Sequence, residues 1–328
     1  MMERRAFLAG TGAVLLAAPR GAEAQSSGKA WRVGFVGAET LSTNRHWLDA
    51  FRLGMREQGY VEGQTLSIED RWAEGRNERF RDLTAELIRL PVDVIVTFST
   101  SGALAAKDLT QSVPIIFIAV DPVGSGIVSN LARPEANVTG LSINLGDEFA
   151  TKWLELLGEV VPRLSRVAIL WNPTNRSNAS YLRAMQASTR SRGTKLLLQG
   201  VSNPDQLEGA FQAMAAGKAQ ALVAVPDPLT VRYRARIVEL AAKYRLPAIY
   251  GFREFADTGG LLAYGANLTA LSKRAAVYAD KILRGARPSD LPVEQATQFE
   301  FVINLKTAKA LGLTIPQSLL RRADEIIQ

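Results

Sequence analysis

From residue 31 onwards, the chain alternates short apolar runs with longer stretches in which apolar residues recur every three or four positions. The short runs predict buried β-strands, and the longer stretches predict amphipathic α-helices. In the first series the strands are predicted at Arg32–Val36, Thr65–Glu69, Asp93–Thr97 and Pro114–Val120. A repeated strand-then-helix order is typical of a parallel sheet that helices cover on both faces.

The same order runs a second time, with strands predicted at Arg166–Trp171, Lys195–Gln199, Ala221–Val225 and Pro247–Tyr250. We therefore predict an α/β fold class with two Rossmann-like lobes, each a parallel sheet flanked by helices, and a cleft between them. A long stretch with apolar residues at helical spacing and the apolar run Phe299–Leu305 come late in the chain. We expect the chain to cross back to the first lobe there. The predicted N-terminal lobe is 31–145 plus about 266–328, and the predicted C-terminal lobe is 146–265.

The first residues are typical of an export signal. Arg4 and Arg5 precede a short apolar run, Ala13–Ala18, and the segment Ala22-Glu23-Ala24 supplies small residues at the two positions that a signal peptidase needs. We predict a secretory signal peptide over 1–24, cleaved after Ala24, and a mature protein in the periplasm. The paired arginines followed by Phe-Leu resemble a twin-arginine signal, with the general secretory route as the alternative.

The composition excludes much of enzyme chemistry. The 328 residues include no cysteine, which rules out disulfides, zinc–cysteine sites, iron–sulfur clusters and thiol nucleophiles. The one histidine, His46, follows Arg45 at a predicted helix start, where surface exposure or capping is the simpler interpretation. We therefore predict a protein that is not an enzyme, with no catalytic residues, no metal site and no cofactor.

The formal net charge of +7 raises the question of nucleic-acid binding. The basic residues are scattered and lie near acidic ones, and the densest group, which is Arg232, Arg234 and Arg236, falls on a predicted amphipathic helix. Solvated helix faces account for this pattern, so we predict no nucleic-acid partner.

Candidate binding residues follow the predicted strands, because ligands of open α/β sheets bind outside the carboxyl ends of the strands. Thr40 follows the first strand, and the hydroxyl-rich turn Ser99, Thr100 and Ser101 follows the third and opens a helix. Such a turn suits a carboxylate, which accepts hydrogen bonds from hydroxyl and backbone N–H groups and is stabilised by the helix dipole. Ordinary helix capping is the alternative, and it is compatible with binding.

Three further polar residues, Asp121, Asn172 and Asp227, each end a predicted strand beside a proline. Asp227, from the second lobe, is placed to pair with a ligand ammonium opposite a carboxylate held by the first lobe. Asx-Pro turns are also common structural elements, so a purely structural role is the alternative. Tyr250 and Phe252 follow a late strand and suit stacking on an apolar or aromatic ligand, with core packing as the alternative.

Several stretches of the chain together resemble one known family. They are Val94–Thr97 with Ser99–Ala106, Pro114–Ile118 with Asp121–Gly124, Leu131–Pro134 through Asn137–Gly140, Leu170–Pro173, Asp227-Pro228, Pro247–Tyr250, and Asn304–Ala308 with Leu311-Gly312. These motifs resemble ABC transporter substrate-binding proteins of the tryptophan/tyrosine-type group, which have the periplasmic-binding-protein type I fold. The resemblance covers almost the whole mature chain. Glu135-Ala136 departs from it, since the family more often has Gly-Gly there.

The resemblance implies a receptor that closes its two lobes on a small solute and delivers it to the transmembrane subunits of an ABC permease. In better-known members the solute is similar to an aromatic amino acid. By the family pattern, Thr100 and Ser101 would hold the carboxylate and Asp227 the amine. Asp121 and Asn172 would line the hinge side of the cleft, and Tyr250 or Phe252 the side-chain pocket; we expect a monomer that touches the membrane complex only peripherally.

Two alternatives come from other classes of protein. One is a secreted α/β enzyme acting on a small carboxylate, which would convert the compound it binds and would place a pair of acids with shifted pKa values in the cleft. The other is a ligand-sensing partner of a membrane sensor. The sequence does not identify the solute.

Overall fold

The computed structural model describes residues 30–143, 147–190 and 193–328, and the predicted signal peptide over 1–24 lies outside these ranges. In chain order the strands are β1 (Trp31–Gly37), β2 (Leu66–Trp72), β3 (Val94–Phe98), β4 (Ile115–Ala119), β5 (Val138–Ser142), β6 (Arg166–Trp171), β7 (Lys195–Gly200), β8 (Ala221–Ala224), β9 (Ala248–Tyr250), β10 (Leu262–Ala266), β11 (Glu294–Gln295), β12 (Phe299–Asn304) and β13 (Glu325–Ile327). The helices are α1 (Leu41–Glu57), α2 (Arg79–Arg89), α3 (Thr100–Leu109), α4 (Asp147–Val160), α5 (Arg176–Arg190), α6 (Gln206–Ala216), α7 (Pro228–Arg232), α8 (Arg234–Lys243), α9 (Arg253–Asp257), α10 (Leu268–Leu283), α11 (Leu305–Leu311) and α12 (Gln317–Leu320).

The described strands form two sheets, one in each lobe. The first has the order β11-β5-β4-β3-β1-β2 and is parallel throughout. The second has the order β13-β12-β10-β9-β8-β6-β7 and is parallel except for the β10–β12 pair. Two mostly parallel sheets with helices on their faces confirm the predicted α/β fold class.

The predicted division of the late chain is wrong for its last part. Helix α10 packs along α1, and β11 extends the first sheet, but β12 and β13 extend the second sheet. Residues 299–328 therefore belong to the second lobe, not to the first. A short apolar run such as Phe301–Ile303 is compatible with either sheet, and only its pairing with β10 assigns it.

The described elements require the chain to pass between the two sheets three times: from β5 to α4, from β10 to α10, and from β11 to β12. The last passage is the one that the sequence did not predict. Strand β5 was also absent from the predicted strands, although its five residues are all buried.

Close packing of α10 on α1 depends on a small residue. A Cβ atom at Gly54 would lie 2.7 Å from both the Ala276 Cβ and the Lys273 carbonyl oxygen. The two helices therefore approach too closely there for a larger side chain. This contact packs the returning chain against the first lobe.

No helix within the described ranges is long and apolar enough to cross a membrane.

Candidate functional site

A cavity of about 480 Å³, measured to include its open mouth, lies where the carboxyl ends of the strands in the two sheets face each other. Polar side chains from both lobes line it: Glu39, Ser99, Thr100, Asn175, Ser177 and Asp227. Much of the remaining wall is apolar and includes Trp47, Phe98, Val231 and Phe252. A concave, mostly apolar cavity with a few convergent polar groups is the usual form of a small-molecule site.

The polar wall of the first lobe is the start of α3. Ser99 has a φ of 121°, an unfavourable backbone angle for a residue with a side chain, and its Oγ accepts a hydrogen bond of 3.0 Å from the Gly102 N–H. The buried Thr100 hydroxyl donates to the Val120 carbonyl oxygen over 3.2 Å. The helix N-terminus is thereby presented to the cavity, and this arrangement favours a negatively charged ligand group.

The opposite wall is built around Asp227, which is 3 % exposed. Its Oδ1 accepts hydrogen bonds from Asn172 Nδ2 at 3.0 Å and from the Leu229 N–H at 2.8 Å, and its Oδ2 accepts one from Asn175 Nδ2 at 2.8 Å. Burial raises the pKa of this carboxyl, and the amide donors act in the opposite direction. Asp227 is therefore both a cavity residue and the structural centre of its loop.

Glu39 lies in the loop after β1, separated from the strand by Ala38, and is 1 % exposed. Burial raises the pKa of its carboxyl well above the ordinary value, and the nearby carboxylates Glu254 and Asp227 raise it further. The cavity thus contains two buried carboxylic acids, Glu39 from the first lobe and Asp227 from the second.

Contacts across the cleft hold the lobes together beside this cavity. His46 Nε2 on α1 lies 3.2 Å from Glu254 Oε1 on α9. The Ser180 hydroxyl on α5 donates to Asp121 Oδ2, which belongs to the first lobe. The structure is therefore one in which the two lobes are closed on each other.

Four of the nine predicted binding residues line the cavity: Ser99, Thr100, Asp227 and Phe252. The other five, which are Thr40, Ser101, Asp121, Asn172 and Tyr250, are not among the lining residues. For four of these the structure gives a specific alternative role, and that of Asp121 is the contact with Ser180 across the cleft.

Thr40 caps α1, since its Oγ1 accepts from the Thr43 N–H. Asn172 is buried behind Asp227 and organises the loop after β6, where its Oδ1 accepts hydrogen bonds from the Thr174 backbone and side chain. Tyr250 is 1 % exposed and stacks on Phe255 with ring centroids 4.4 Å apart, so it serves core packing rather than the cavity wall. Each side chain follows a strand as expected, but its direction takes it away from the cavity.

The sequence analysis did not select Glu39, Trp47, Phe98, Asn175 or Ser177, which also line the cavity. Glu39 had a usable signal, because it lies in the loop after the first predicted strand. Trp47 reads from sequence as a core residue of α1, and it does stack on Phe98, with centroids 5.2 Å apart. Its second role, as part of the cavity wall, exists only because residues of the opposite lobe complete the cavity.

Residues 43–327 match the family described as ABC transporter substrate binding protein, and the chain belongs to that family. It is 25% identical over 264 residues to a tyrosine-binding protein of Clostridioides difficile strain R20291, with 80% of this chain and 75% of that protein covered. A conserved domain protein from Vibrio cholerae O1 biovar El Tor has a TM-score of 0.85 at 26% identity, with 91% of this chain and all of that chain covered. An ABC domain from Streptococcus pneumoniae in complex with L-Trp also has a TM-score of 0.85, at 22% identity and the same coverage.

The protein is therefore an ABC transporter substrate-binding protein with the periplasmic-binding-protein type I fold, as the sequence predicted. The two acids in its cleft match what we expected of the enzyme alternative, but the family consists of solute-binding proteins and not of enzymes. In this setting buried acids are available for recognising a solute. Proteins of this class typically work outside the cytoplasm with a membrane permease.

Proposed function

We propose that the protein binds an amino acid, and an aromatic one in particular, and delivers it to the permease of an ABC importer. The observation that carries this proposal is the pair of opposed walls in one cavity: the start of α3 with Ser99 and Thr100 on one side, and Asp227 on the other. The first suits a carboxylate and the second an ammonium group. Trp47, Phe98 and Phe252 supply apolar surface for a large side chain.

The named relatives support the choice of an aromatic amino acid. One is a tyrosine-binding protein and another was solved with L-Trp bound. The role of Asp227 in meeting the ammonium follows the family pattern, and by the same pattern Thr100 and Ser101 would hold the carboxylate, with Thr100 alone of the two lining the cavity. Asp121, Asn172, Thr40 and Tyr250 would then act on the ligand only indirectly, through the loops and lobe contacts that they stabilise.

A thermal-shift screen tests the proposal. The mature protein, from Gln25 on, is unfolded and refolded to remove any carried solute, then heated with amino acids, sugars, small organic acids and aromatic acids. A ligand at about 1,000 times its Kd adds roughly 4 kcal/mol and moves Tm by several degrees. We expect L-tryptophan or L-tyrosine to produce the shift and to be recovered unchanged; a converted compound would favour the enzyme alternative.

The site assignment has its own test. Asp227→Ala should weaken binding of the amino acid found in the screen by more than tenfold, because it removes negative charge from the cavity wall that faces the ammonium. Unchanged affinity in isothermal titration would show that Asp227 does not take part in binding the ligand.

We also infer that the chain is exported to the periplasm, cleaved after Ala24, and works there as a monomer. Mass spectrometry of the exported protein should find an N-terminus at Gln25. Replacing Arg4 and Arg5 by lysine should stop export if the twin-arginine route is used, and should leave it unaffected if the general route is used.

A further inference from the structure

Glu39 is a cavity residue whose hydrogen-bonding capacity is mostly unused. A carboxylate has about four acceptor sites on its two oxygens. In the described part of the chain, the Glu39 carboxyl accepts one side-chain hydrogen bond, from Asn44 Nδ2 to Oε2 at 3.3 Å. An acid that is 1 % exposed and has one long hydrogen bond is costly to keep without a stronger partner.

Asp227 lies in the same cavity, but hydrogen bonds within the protein satisfy most of the acceptor capacity of its carboxylate. Three N–H donors at 2.8 to 3.0 Å already satisfy its two oxygens. Its carboxylate contributes charge to the cavity but has little capacity left for new hydrogen bonds. Of the two acids, Glu39 has the greater capacity for a ligand donor.

A second observation in the same cavity also indicates a missing ligand. Trp47 lines the cavity and is 3 % exposed, and its indole Nε1–H is buried with no acceptor among the described residues. Buried N–H groups are rarely left without a partner. A solute that accepts from Trp47 and donates to Glu39 would satisfy both residues at once.

We infer that Glu39 is the main binding residue for a cationic nitrogen of the solute, and that it selects solutes which carry an ammonium group over analogues which lack it. The inference rests on the proposed function and deepens it, since it names a residue and a chemical group. The ammonium donates to the free acceptor sites of Glu39, Asp227 adds negative charge from the opposite wall, and Trp47 donates to an acceptor atom of the solute.

Binding of a cation then involves a proton. The groups that act on Glu39 are Glu254 and Asp227, which raise its pKa together with burial, and Arg234 and Arg232, which lower it. Because the net pKa is well above the ordinary value, free Glu39 holds a proton over a wider pH range than an exposed glutamate. On binding, Glu39 becomes a carboxylate paired with the ligand ammonium, and its proton passes to the buffer. Affinity for the cation should therefore rise with pH through the pKa of free Glu39, by up to about tenfold per pH unit.

The experiment compares the wild-type protein with Glu39→Gln by isothermal titration. The probes are L-tryptophan and L-tyrosine, each set against its desamino analogue, 3-(indol-3-yl)propionate and 3-(4-hydroxyphenyl)propionate, with putrescine as a cation that lacks a carboxylate. The substitution should weaken amino-acid binding by about 10- to 100-fold, while affinity for the desamino analogue changes by less than about threefold. Glu78→Gln is the control, since Glu78 is exposed and makes no side-chain capping bond at the start of α2.

A second measurement detects the proton release directly. Titrations of wild-type protein in phosphate and in HEPES, which differ in ionisation enthalpy, should show net proton release on amino-acid binding, and Glu39→Gln should abolish it. This readout separates a role in binding from a fold defect in the variant.

The outcomes distinguish the inference from the function on which it rests. If an amino acid binds but neither its preference over the desamino analogue nor proton release depends on Glu39, the inference is wrong and the proposed function stands. If putrescine binds in a Glu39-dependent way and no amino acid does, the proposed function is wrong and the inference stands. A protein that binds only neutral or anionic solutes, or none of the probes, overturns the inference.

Discussion

At the scale of single residues, the buried acids of the cleft are available to recognise a solute but lower the stability of the folded protein. A carboxyl whose pKa is raised in the folded state binds protons more tightly there than in the unfolded chain. Such a group lowers stability as pH rises from the unfolded pKa, about 4.3 for glutamate, towards the folded value. Glu39 falls in this class, and so does Asp227 to a smaller degree.

We predict that Glu39→Gln stabilises the ligand-free protein at neutral pH. Glutamine does not titrate, so the difference in unfolding free energy between variant and wild type should be near zero at pH 4 and should grow upwards from there. The slope should reach at most about 1.4 kcal/mol per pH unit. Urea unfolding between pH 4 and pH 8 measures it. A difference that is constant with pH would show that Glu39 titrates alike in the folded and unfolded protein.

Asp227 should behave differently, because its oxygens accept three hydrogen bonds within the protein. Replacing it by alanine leaves the Asn172 and Asn175 amides and the Leu229 N–H without acceptors, at a cost of about 1–3 kcal/mol. Urea unfolding of Asp227→Ala should show that loss. Asp205→Ala is the matched control, since Asp205 is exposed and gives no side-chain capping bond to α6. Equal stability of the two variants would contradict a structural role for Asp227.

Among the elements, the turn from β3 into α3 determines the geometry of the first-lobe wall. Ser99 adopts the unfavourable positive φ that the turn requires, and Gly102 lets the first turn of the helix lie against β3. A Cβ atom at Gly102 would overlap the Thr97 Oγ1 atom and lie 3.0 Å from the Phe80 ring. The helix start reaches the cavity only because glycine allows this approach.

Gly102→Ala should therefore lower stability by about 1–3 kcal/mol through overpacking and should also weaken solute binding, because it displaces Ser99 and Thr100. Gly209→Ala is the control. Gly209 lies inside α6 with no atom within 4 Å of an added Cβ, so alanine there should stabilise the protein by about 0.5–1 kcal/mol. Thermal unfolding with titration of the solute checks both. A neutral Gly102→Ala variant would show that α3 is free to shift.

At the scale of the whole molecule, closure of the two lobes involves polar contacts between described residues on either side of the cleft. His46 with Glu254, and Ser180 with Asp121, join the lobes beside the cavity. Partly exposed contacts of this kind each contribute little free energy, which suits a receptor that has to open and release its solute.

The double variant Ser180→Ala with Glu254→Gln should shift the ligand-free protein towards an open form. Small-angle X-ray scattering should then show a larger radius of gyration, which saturating solute reverses, and apparent affinity should fall by about three- to tenfold. Glu159→Gln is the control, because the Glu159–Arg322 pair at 2.9 Å lies within the second lobe. An unchanged radius of gyration in the double variant would show that these contacts do not hold the lobes closed.

Much of the fold could be predicted because apolar spacing is a local property. Strand β6 was predicted with its observed ends, and each end of the other predicted strands lies no more than three residues from the observed one. Strand β5 was missed: its apolar residues are interrupted by Thr139 and Gly140, and the added Cβ of a larger residue at position 140 would meet the Phe117 backbone. The binding site was harder to predict. Ligands bind at the carboxyl ends of the strands, and this selects positions in the sequence but not the directions of their side chains, as Tyr250 and Asn172 show.

The sequence by itself determined the two α/β lobes, the family, and the strand ends that supply Ser99, Thr100, Asp227 and Phe252 to the cleft. These follow from periodicity and from motifs of neighbouring residues. Only the tertiary structure assigned β12 and β13 to the second lobe, turned Asp121 to Ser180, and buried Glu39. Those outcomes depend on strand pairing and on one lobe covering the other, which are contacts between residues far apart in the chain. The environment of Glu39, and with it the proposed recognition of an ammonium group, arises only when the two lobes meet.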